Sequence, residues 1–192
     1  EFTFKNLEKA YIKALSQGYK IITCEEYFNN KLEYSNSKIL VNRIDIDLYF
    51  NRTQGLLEIF KKLNIKGSFF IRLHAKEYNP FSFESYRIIK ELLEINCEIG
   101  YHSEIIDQSK IWNESAEECL KRDIEVFNKM FDYKIKGVCS HGGLTGYNNL
   151  DFWKNKKPSD YGLLYEAYDT EPSFNLFNNS FYISDSEWTR WK

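Results

Sequence analysis

The sequence predicts an α/β fold with a parallel sheet, because short apolar runs alternate with amphipathic helical stretches along most of the chain. The apolar runs are rich in β-branched and aromatic residues and are bounded by polar ones, which is typical of buried strands. Ionisable residues also cluster directly after these runs. In parallel α/β folds, ligands bind at the carboxyl ends of the strands, so this clustering favours the same fold class.

Each element follows from its own pattern. A helix over residues 7–16 has an apolar stripe and is followed by Gly18, and the 53–63 and 83–95 stretches have the same helical period. Ser115 and Glu118 form a capping-box motif in a long helix predicted over 112–131. A helical turn is predicted at 25–30. Strands are predicted at 19–24, 38–47, 66–73, 98–101 and 135–139, with short late strands at 163–165 and 181–183.

Composition limits the possible functions. The 192 residues contain no linker, repeat or low-complexity tract, so we expect one domain over residues 1–192. A net charge of −2 and a pI near 6.0 argue against nucleic-acid binding, which needs a basic face. No apolar run approaches the ~18 residues of a membrane span. The four cysteines lie far apart without a C-x-x-C pair, so we expect free thiols, a reducing compartment and a cytoplasmic location.

The central predicted strand ends in two carboxylates, Asp45 and Asp47. Alternate residues of a strand point the same way, so both side chains should project together from the carboxyl end. Two like charges at this separation need a metal ion, a nearby cation or a shared proton. The alternative is an ordinary pair of aspartates in a strand-end loop that caps the following helix.

The three histidines of the chain each come just after a predicted strand. They are His74, His102 and His141, and Glu104 and Asp185 occupy similar positions. Carboxylate and imidazole ligands from separate strand ends suit zinc or a similar divalent ion. These histidines could equally be hydrogen-bonded structural residues, and this reading is favoured for His74. A serine or cysteine nucleophile is disfavoured, because no G-x-S-x-G motif is present and the cysteines lie in apolar contexts.

The order of these motifs resembles the polysaccharide deacetylase superfamily (NodB homology, carbohydrate esterase family 4). The strand that ends in D-x-D is followed by Gly-Ser-Phe-Phe at 67–70 and by Glu-Ile-Gly-Tyr-His at 98–102. An outlying branch with R-H-D-V-D, H-Y-E and S-H-G motifs is matched by residues 43–47, 102–104 and 140–142. The resemblance covers roughly residues 38–143, with weaker similarity continuing to Asp185.

The resemblance implies a distorted (β/α)7-type barrel that removes an N-acetyl group from a sugar. Asp45 would be the general base, and Asp47 and His102 would bind a divalent metal ion, with zinc expected. The position of the second family histidine holds Ile106. His141 is therefore the candidate third ligand, or else the catalytic acid.

The same resemblance suggests supporting roles for a further set of residues. Substrate-binding or supporting roles fall to Glu104, Arg72, His74 and Asp185, and Glu104 is an alternative third ligand. Arg43 and Arg72 are candidate partners for Asp45. The expected partner is a carbohydrate that bears N-acetyl groups, and the metal is the only cofactor expected. Two alternatives remain open: a non-catalytic barrel that binds a glycan or a protein, and a hydrolase of another non-peptide C–N bond.

Overall fold

The computed structural model describes residues 3–169 and 174–184 and shows a mixed α/β fold around parallel strands. The helices are α1 (Phe4–Ser16), α2 (Cys24–Asn30), α3 (Thr53–Leu63), α4 (Phe83–Glu94), α5 (Ile105–Trp112), α6 (Ala116–Phe131) and α7 (Leu176–Asn179). The strands are β1 (Lys20–Ile22), β2 (Ile39–Val41), β3 (Arg43–Ile46), β4 (Ser68–Ile71), β5 (Glu98–Ser103), β6 (Gly137–Ser140) and β7 (Tyr165–Glu166). The predicted alternation of strands and helices is therefore confirmed.

A parallel sheet of five strands runs in the order β3-β4-β5-β6-β7, and β1 pairs in parallel with β2. The single strand predicted over 38–47 is wrong in one respect, because it is divided at Asn42. The backbone N–H of Asn42 donates to Ile22, and its carbonyl accepts from Ser68. The chain thus changes its neighbour from β1 to β4 at this residue, where the buried amide also contacts Tyr11.

Two apolar cores lie on opposite faces of the five-stranded sheet. Ile44 and Ile46 of β3 face the core formed with the helices, and the alternate residues of β4 and β5 do the same. The other face packs Phe70, Cys139 and Tyr165 against β1 and α2. A Cβ on Gly100 would lie 2.5 Å from the Phe70 ring, so only glycine fits at this position. Because of the strand alternation, the polar residues of β3 and β5 share this second face.

The longest predicted helix, 112–131, is confirmed as α6, but it begins four residues late because the chain breaks after α5, a helix that was not predicted. Asn113 adopts a left-handed conformation with φ 54° and ends α5. Ser115 begins α6, but its side chain makes no capping hydrogen bond, so the predicted capping box is not formed. The remaining helix predictions are confirmed to within a few residues, and α3 has the predicted bounds.

Closure of the sheet into a barrel is not seen within the described residues, where no strand joins β7 to β1. The predicted strand at 181–183 is reduced to an isolated bridge at Ile183, and Asp185 lies outside the described residues. All four cysteines are free, as predicted, and all four are buried. None of the helices in the described ranges is long and apolar enough to cross a membrane.

Candidate metal centre

The carboxyl ends of β3, β5 and β6 bring Asp47, His102 and His141 together. The register pairs His102 with Cys139, and the backbone N–H of His141 continues this ladder by donating to Ser103 over 2.9 Å. His102 belongs to β5 itself, which extends two residues beyond its predicted end. The three side chains therefore meet because neighbouring parallel strands end at the same edge of the sheet.

The three side chains lie close enough together to hold one metal ion. Asp47 Oδ1 lies 3.1 Å from His102 Nε2 and 3.5 Å from His141 Nε2. One ligand atom from each residue lies within 4.8 Å of the other two. The two imidazole rings are nearly perpendicular, with centroids 5.0 Å apart. Two imidazoles and a carboxylate are the ligand set that zinc and similar ions accept at open catalytic sites.

The hydrogen bond on the far side of His102 fixes the state of its ring. Nδ1 donates to the carbonyl of Cys139 over 2.8 Å, so the neutral ring carries its lone pair on Nε2. Nε2 then faces an oxygen of Asp47, and two acceptors in contact require a cation or a proton between them. Burial lowers the pKa of His102, but the hydrogen bond to Asp47 and the charge of Asp45 outweigh it and raise the pKa.

The pKa of His141 shifts in the opposite direction. Burial lowers it, and the charges of His102 and Arg72 lower it further. A neutral imidazole retains the lone pair that a metal ligand needs. Burial raises the pKa of Asp47, but the hydrogen bond and charge of His102 together lower it, so this side chain is a carboxylate at neutral pH. The states of His141 and Asp47 thus agree with the ligand set, whereas His102, whose pKa is raised, must give up a proton to bind a metal ion.

Asp45 lies beside this group in a more enclosed position. Its Oδ2 pairs with Arg43 at 3.2 Å, and the Cys139 thiol donates to the same oxygen over 3.5 Å. Asp45 Oδ1 is buried and has no hydrogen-bond partner within the described ranges. A carboxylate oxygen of Asp45 also lies within 4.8 Å of a ring nitrogen of His102 and of the Cys139 sulfur. The charge of each aspartate therefore has its own compensation, from Arg43 for Asp45 and from the histidines for Asp47.

Arg72 and Glu104 form a buried ion pair behind the site, with Nη2 2.7 Å from Oε1. Arg72 also donates to the backbone carbonyl of Asp47 over 2.8 Å, so the position of that residue depends on the pair. Glu104 Oε1 lies 3.6 Å from His141 Nδ1, and neither Glu104 Oε2 nor His141 Nδ1 has a hydrogen bond in the described part of the chain. Among the described residues, the ion pair of Asp45 is with Arg43, and the two side-chain ion pairs of Arg72 are with Glu104 and Glu77.

A pocket of about 430 Å³ opens over Asp47 and His141. Its walls include His74 and Glu77, together with Leu48, Arg72, Lys76 and Leu144. His74 approaches neither Asp45 nor His102 in a hydrogen bond or ion pair, and its Nε2 instead lies 3.0 Å from a carboxylate oxygen of Asp123. The pocket is large enough for a small polar ligand to reach the three converging side chains.

Two residues that support His141 are absent from the sequence predictions. Asp107, in the first turn of α5, accepts hydrogen bonds from the backbone N–H groups of Leu144 and Thr145 and from the Asn149 amide. Asn149 in turn donates to the carbonyl of His141 over 3.2 Å. An aspartate in a helical first turn is favoured by the helix dipole, but no helix is predicted over 105–112, so nothing in the local pattern singles out Asp107.

The residues present fit a divalent cation. His102 Nε2 and Asp47 Oδ1 are two acceptors in contact, and His141 Nε2 lies close to the same oxygen. The buried hydrogen bond from His102 to Cys139 is the kind of outer contact that orients a ligating imidazole. Asp45, His102 and Cys139 form a second group of similar spacing. In that group, however, Asp45 Oδ2 is already paired with Arg43 and accepts a hydrogen bond from the Cys139 thiol. The first group is therefore the candidate metal centre.

Comparison with solved structures finds similar folds among deacetylases. The deacetylase PplD of Streptococcus pyogenes in complex with acetate matches with a TM-score of 0.51 and 14% identity, over 69% of this chain and 59% of that one. The chitin deacetylase of the fungal pathogen Colletotrichum lindemuthianum matches with 0.39 and 15%, over 52% and 44%. A carbohydrate esterase family 4 pseudoenzyme of Bacillus anthracis matches with 0.40 and 20%, over 55% and 36%.

One of these matches bears on the fold, and none of them bears on the chemistry of this chain. The likeness to PplD shows a shared fold, and this chain spans about three fifths of the length of that protein. The two lower-scoring matches add no argument. No family model and no curated protein matches the sequence.

Proposed function

We propose that this chain is a metal-dependent, polysaccharide deacetylase-like hydrolase that removes an N-acetyl group from a sugar or glycan precursor. The observation that carries the proposal is the convergence of His102 Nε2, His141 Nε2 and Asp47 Oδ1, with Asp45 beside them. The shared fold with a deacetylase and the motif order support it. We further propose that residues 1–192 form one domain with the fold of a distorted (β/α)7-type barrel. We propose zinc as the metal and a cytoplasmic location.

In this proposal Asp47, His102 and His141 hold the ion. A divalent ion bound there would lower the pKa of a bound water and polarise the acetamide carbonyl. Asp45 accepts the proton of the attacking water, and Arg43 together with the Cys139 thiol holds its carboxylate in place. Arg72 fixes the backbone of Asp47, and the Cys139 carbonyl fixes the His102 ring.

Metal analysis of the purified protein tests the binding half of this proposal. We expect about one zinc-like ion per chain, as in other sites with three protein ligands. The ion should be lost when Asp47→Ala and His102→Ala are combined. Asp151→Ala is the matched control, because this aspartate is exposed and pairs with Lys154 on the surface. Wild-type protein that binds no ion when zinc is supplied at neutral pH would exclude the mechanism.

Acetate release separates the hydrolase from the non-catalytic alternative. We expect wild-type protein to release acetate from N-acetylated oligosaccharides, and Asp45→Asn to keep the metal but lose activity by about 10²–10⁴-fold, as expected for a general base. Protein that holds the ion but releases no acetate would favour the glycan- or protein-binding relative. Release of ammonia or another amine from a small amide, without activity on sugars, would favour the second enzyme alternative.

A further inference from the structure

Hydrolysis of an amide needs an acid as well as a base. The C–N bond breaks with its electron pair on nitrogen, and an amine anion is too basic to leave without a proton. His102 and His141 both direct Nε2 at Asp47, so the proposed metal centre uses both rings. The third histidine, His74, lines the same pocket as Asp47 and His141.

The environment of His74 is that of an oriented catalytic imidazole. Its Nε2 lies 3.0 Å from Asp123 Oδ2, and the Asp123 side chain is only 4% exposed. The neighbouring ring of Trp112 packs edge-on at 5.0 Å between centroids. About one third of the His74 side chain remains exposed. Because Nε2 is engaged by the buried carboxylate, Nδ1 is the ring nitrogen that remains to exchange a proton with a ligand.

Asp123 is itself held by two buried partners. The Tyr101 hydroxyl donates to Oδ2 over 2.5 Å, and the Gln108 amide donates to the same oxygen over 2.7 Å. These contacts come from β5 and α5, so two other elements of the fold fix the carboxylate that α6 presents to His74. An imidazole positioned by a fixed, buried carboxylate is the arrangement in which a histidine transfers protons during acyl transfer.

We infer that His74, positioned by Asp123, is the general acid that protonates the departing amine; this inference rests on the proposed function. Asp45 accepts one proton from the attacking water. As the carbonyl re-forms, the C–N bond breaks and its electron pair takes a proton from His74 Nδ1, which releases the sugar amine and acetic acid. The proton on Asp45 then returns to His74 through solvent, so no other reactant is needed.

Two substrates that differ in their leaving group test this role. An N-acetylated oligosaccharide needs the acid, whereas 4-nitrophenyl acetate releases a phenolate that leaves without a proton. We expect His74→Gln to lower kcat on the amide by about 10²–10⁴-fold, the range for general acid catalysis, and to leave kcat on the ester within a few-fold. Metal content should not change, because His74 is not a ligand. Free imidazole should partly restore amide hydrolysis in His74→Ala.

Leu120→Ala is the structural control, because this residue is fully buried on the same helix as Asp123 but lies outside the pocket. It should change activity on the two substrates equally. Asp123→Asn should lower amide hydrolysis more than ester hydrolysis while the protein stays folded and metal-bound. An equal loss on both substrates in His74→Gln would overturn the inference alone. Wild-type protein that is inactive on both substrates would refute the proposed function, and the inference with it.

Discussion

Asp107 offers the sharpest test of how the fold positions His141. Its carboxylate is almost fully buried, and its Oδ1 accepts from the backbone N–H groups of Leu144 and Thr145 and from the Thr145 hydroxyl. Its Oδ2 accepts from Asn149 Nδ2 over 2.7 Å. Replacement by asparagine keeps the shape of the side chain but removes the charge and turns one acceptor into a donor.

The expected loss follows from these contacts. Substitution deprives the Asn149 amide of its charged acceptor, and a hydrogen bond to a charged group contributes about 1.5–3 kcal/mol. Asn149 Nδ2 also donates to the carbonyls of His141 and Gly142, which limits the loss. We therefore expect Asp107→Asn to lower the free energy of unfolding by about 2 kcal/mol. The loss should be local, because Asp107 joins α5 to the loop that carries His141.

Hydrogen exchange of the metal-free protein gives the direct assay. A local loss of about 2 kcal/mol corresponds to roughly 30-fold faster exchange at the Leu144 and Thr145 amides. Ile88→Ala is the control, because it opens a cavity in α4 far from this loop and should not change exchange there selectively. Unchanged exchange at these two amides in Asp107→Asn, or the same change in the control, would refute the argument.

The Asp107 argument also predicts a pH dependence. Burial raises the pKa of Asp107, but the hydrogen bonds from Thr145 and Asn149 and the backbone outweigh it and lower the pKa below 3.8. A depressed carboxylate pKa contributes stability above the unfolded pKa, and this contribution is lost as the pH falls through the folded pKa. Wild-type protein should therefore lose this increment on acidification below about pH 4, whereas Asp107→Asn should not.

Three further changes test other parts of the fold. Gly100→Ala should destabilise by about 1–3 kcal/mol, measured by urea unfolding, because the new Cβ meets the buried Phe70 ring. Arg72→Met should cost about 3–5 kcal/mol, because Glu104 is left charged and buried. Burial raises the pKa of Glu166 to about 7. The stability that the protonated side chain contributes should therefore decrease as the pH rises from about 4.5 to 7, and Glu166→Gln should not show this pH dependence. A variant whose stability, or pH dependence of stability, equals that of the wild type would contradict the argument made for that residue.

Interactions between distant segments explain the predictions that were wrong. The strand at 38–47 reads as one apolar run, but the buried Asn42 bonds to both β1 and β4 and divides it. Helix α5 was missed because its first turn is capped from outside the local sequence, by the Asn149 side chain on the N–H groups of Ile106 and Asp107. A local pattern carries no information on such a partner, because the energy comes from a contact more than forty residues away.

In the candidate metal centre, too, some features follow from the local sequence and others from contacts between distant segments. The D-x-D spacing predicts that Asp45 and Asp47 project together, because strand alternation is a local property of the backbone. Arg43 pairs with Asp45 from the same strand, whereas the two histidines that contact Asp47 come from other strands and depend on the register between them. Sequence position alone also made His74 a candidate for this cluster, but the structure places its Nε2 against Asp123 on α6.

The sequence by itself determined the alternation of parallel strands with helices and the edge of the sheet at which the ionisable residues gather. Both depend on periodicity and strand polarity, which a chain carries locally. Only the tertiary structure decided which of these side chains meet, which nitrogen of His102 faces Asp47, and which residues anchor the His141 loop. Those features depend on distances between segments far apart in the chain, and they arise only when packing fixes the register and the loops.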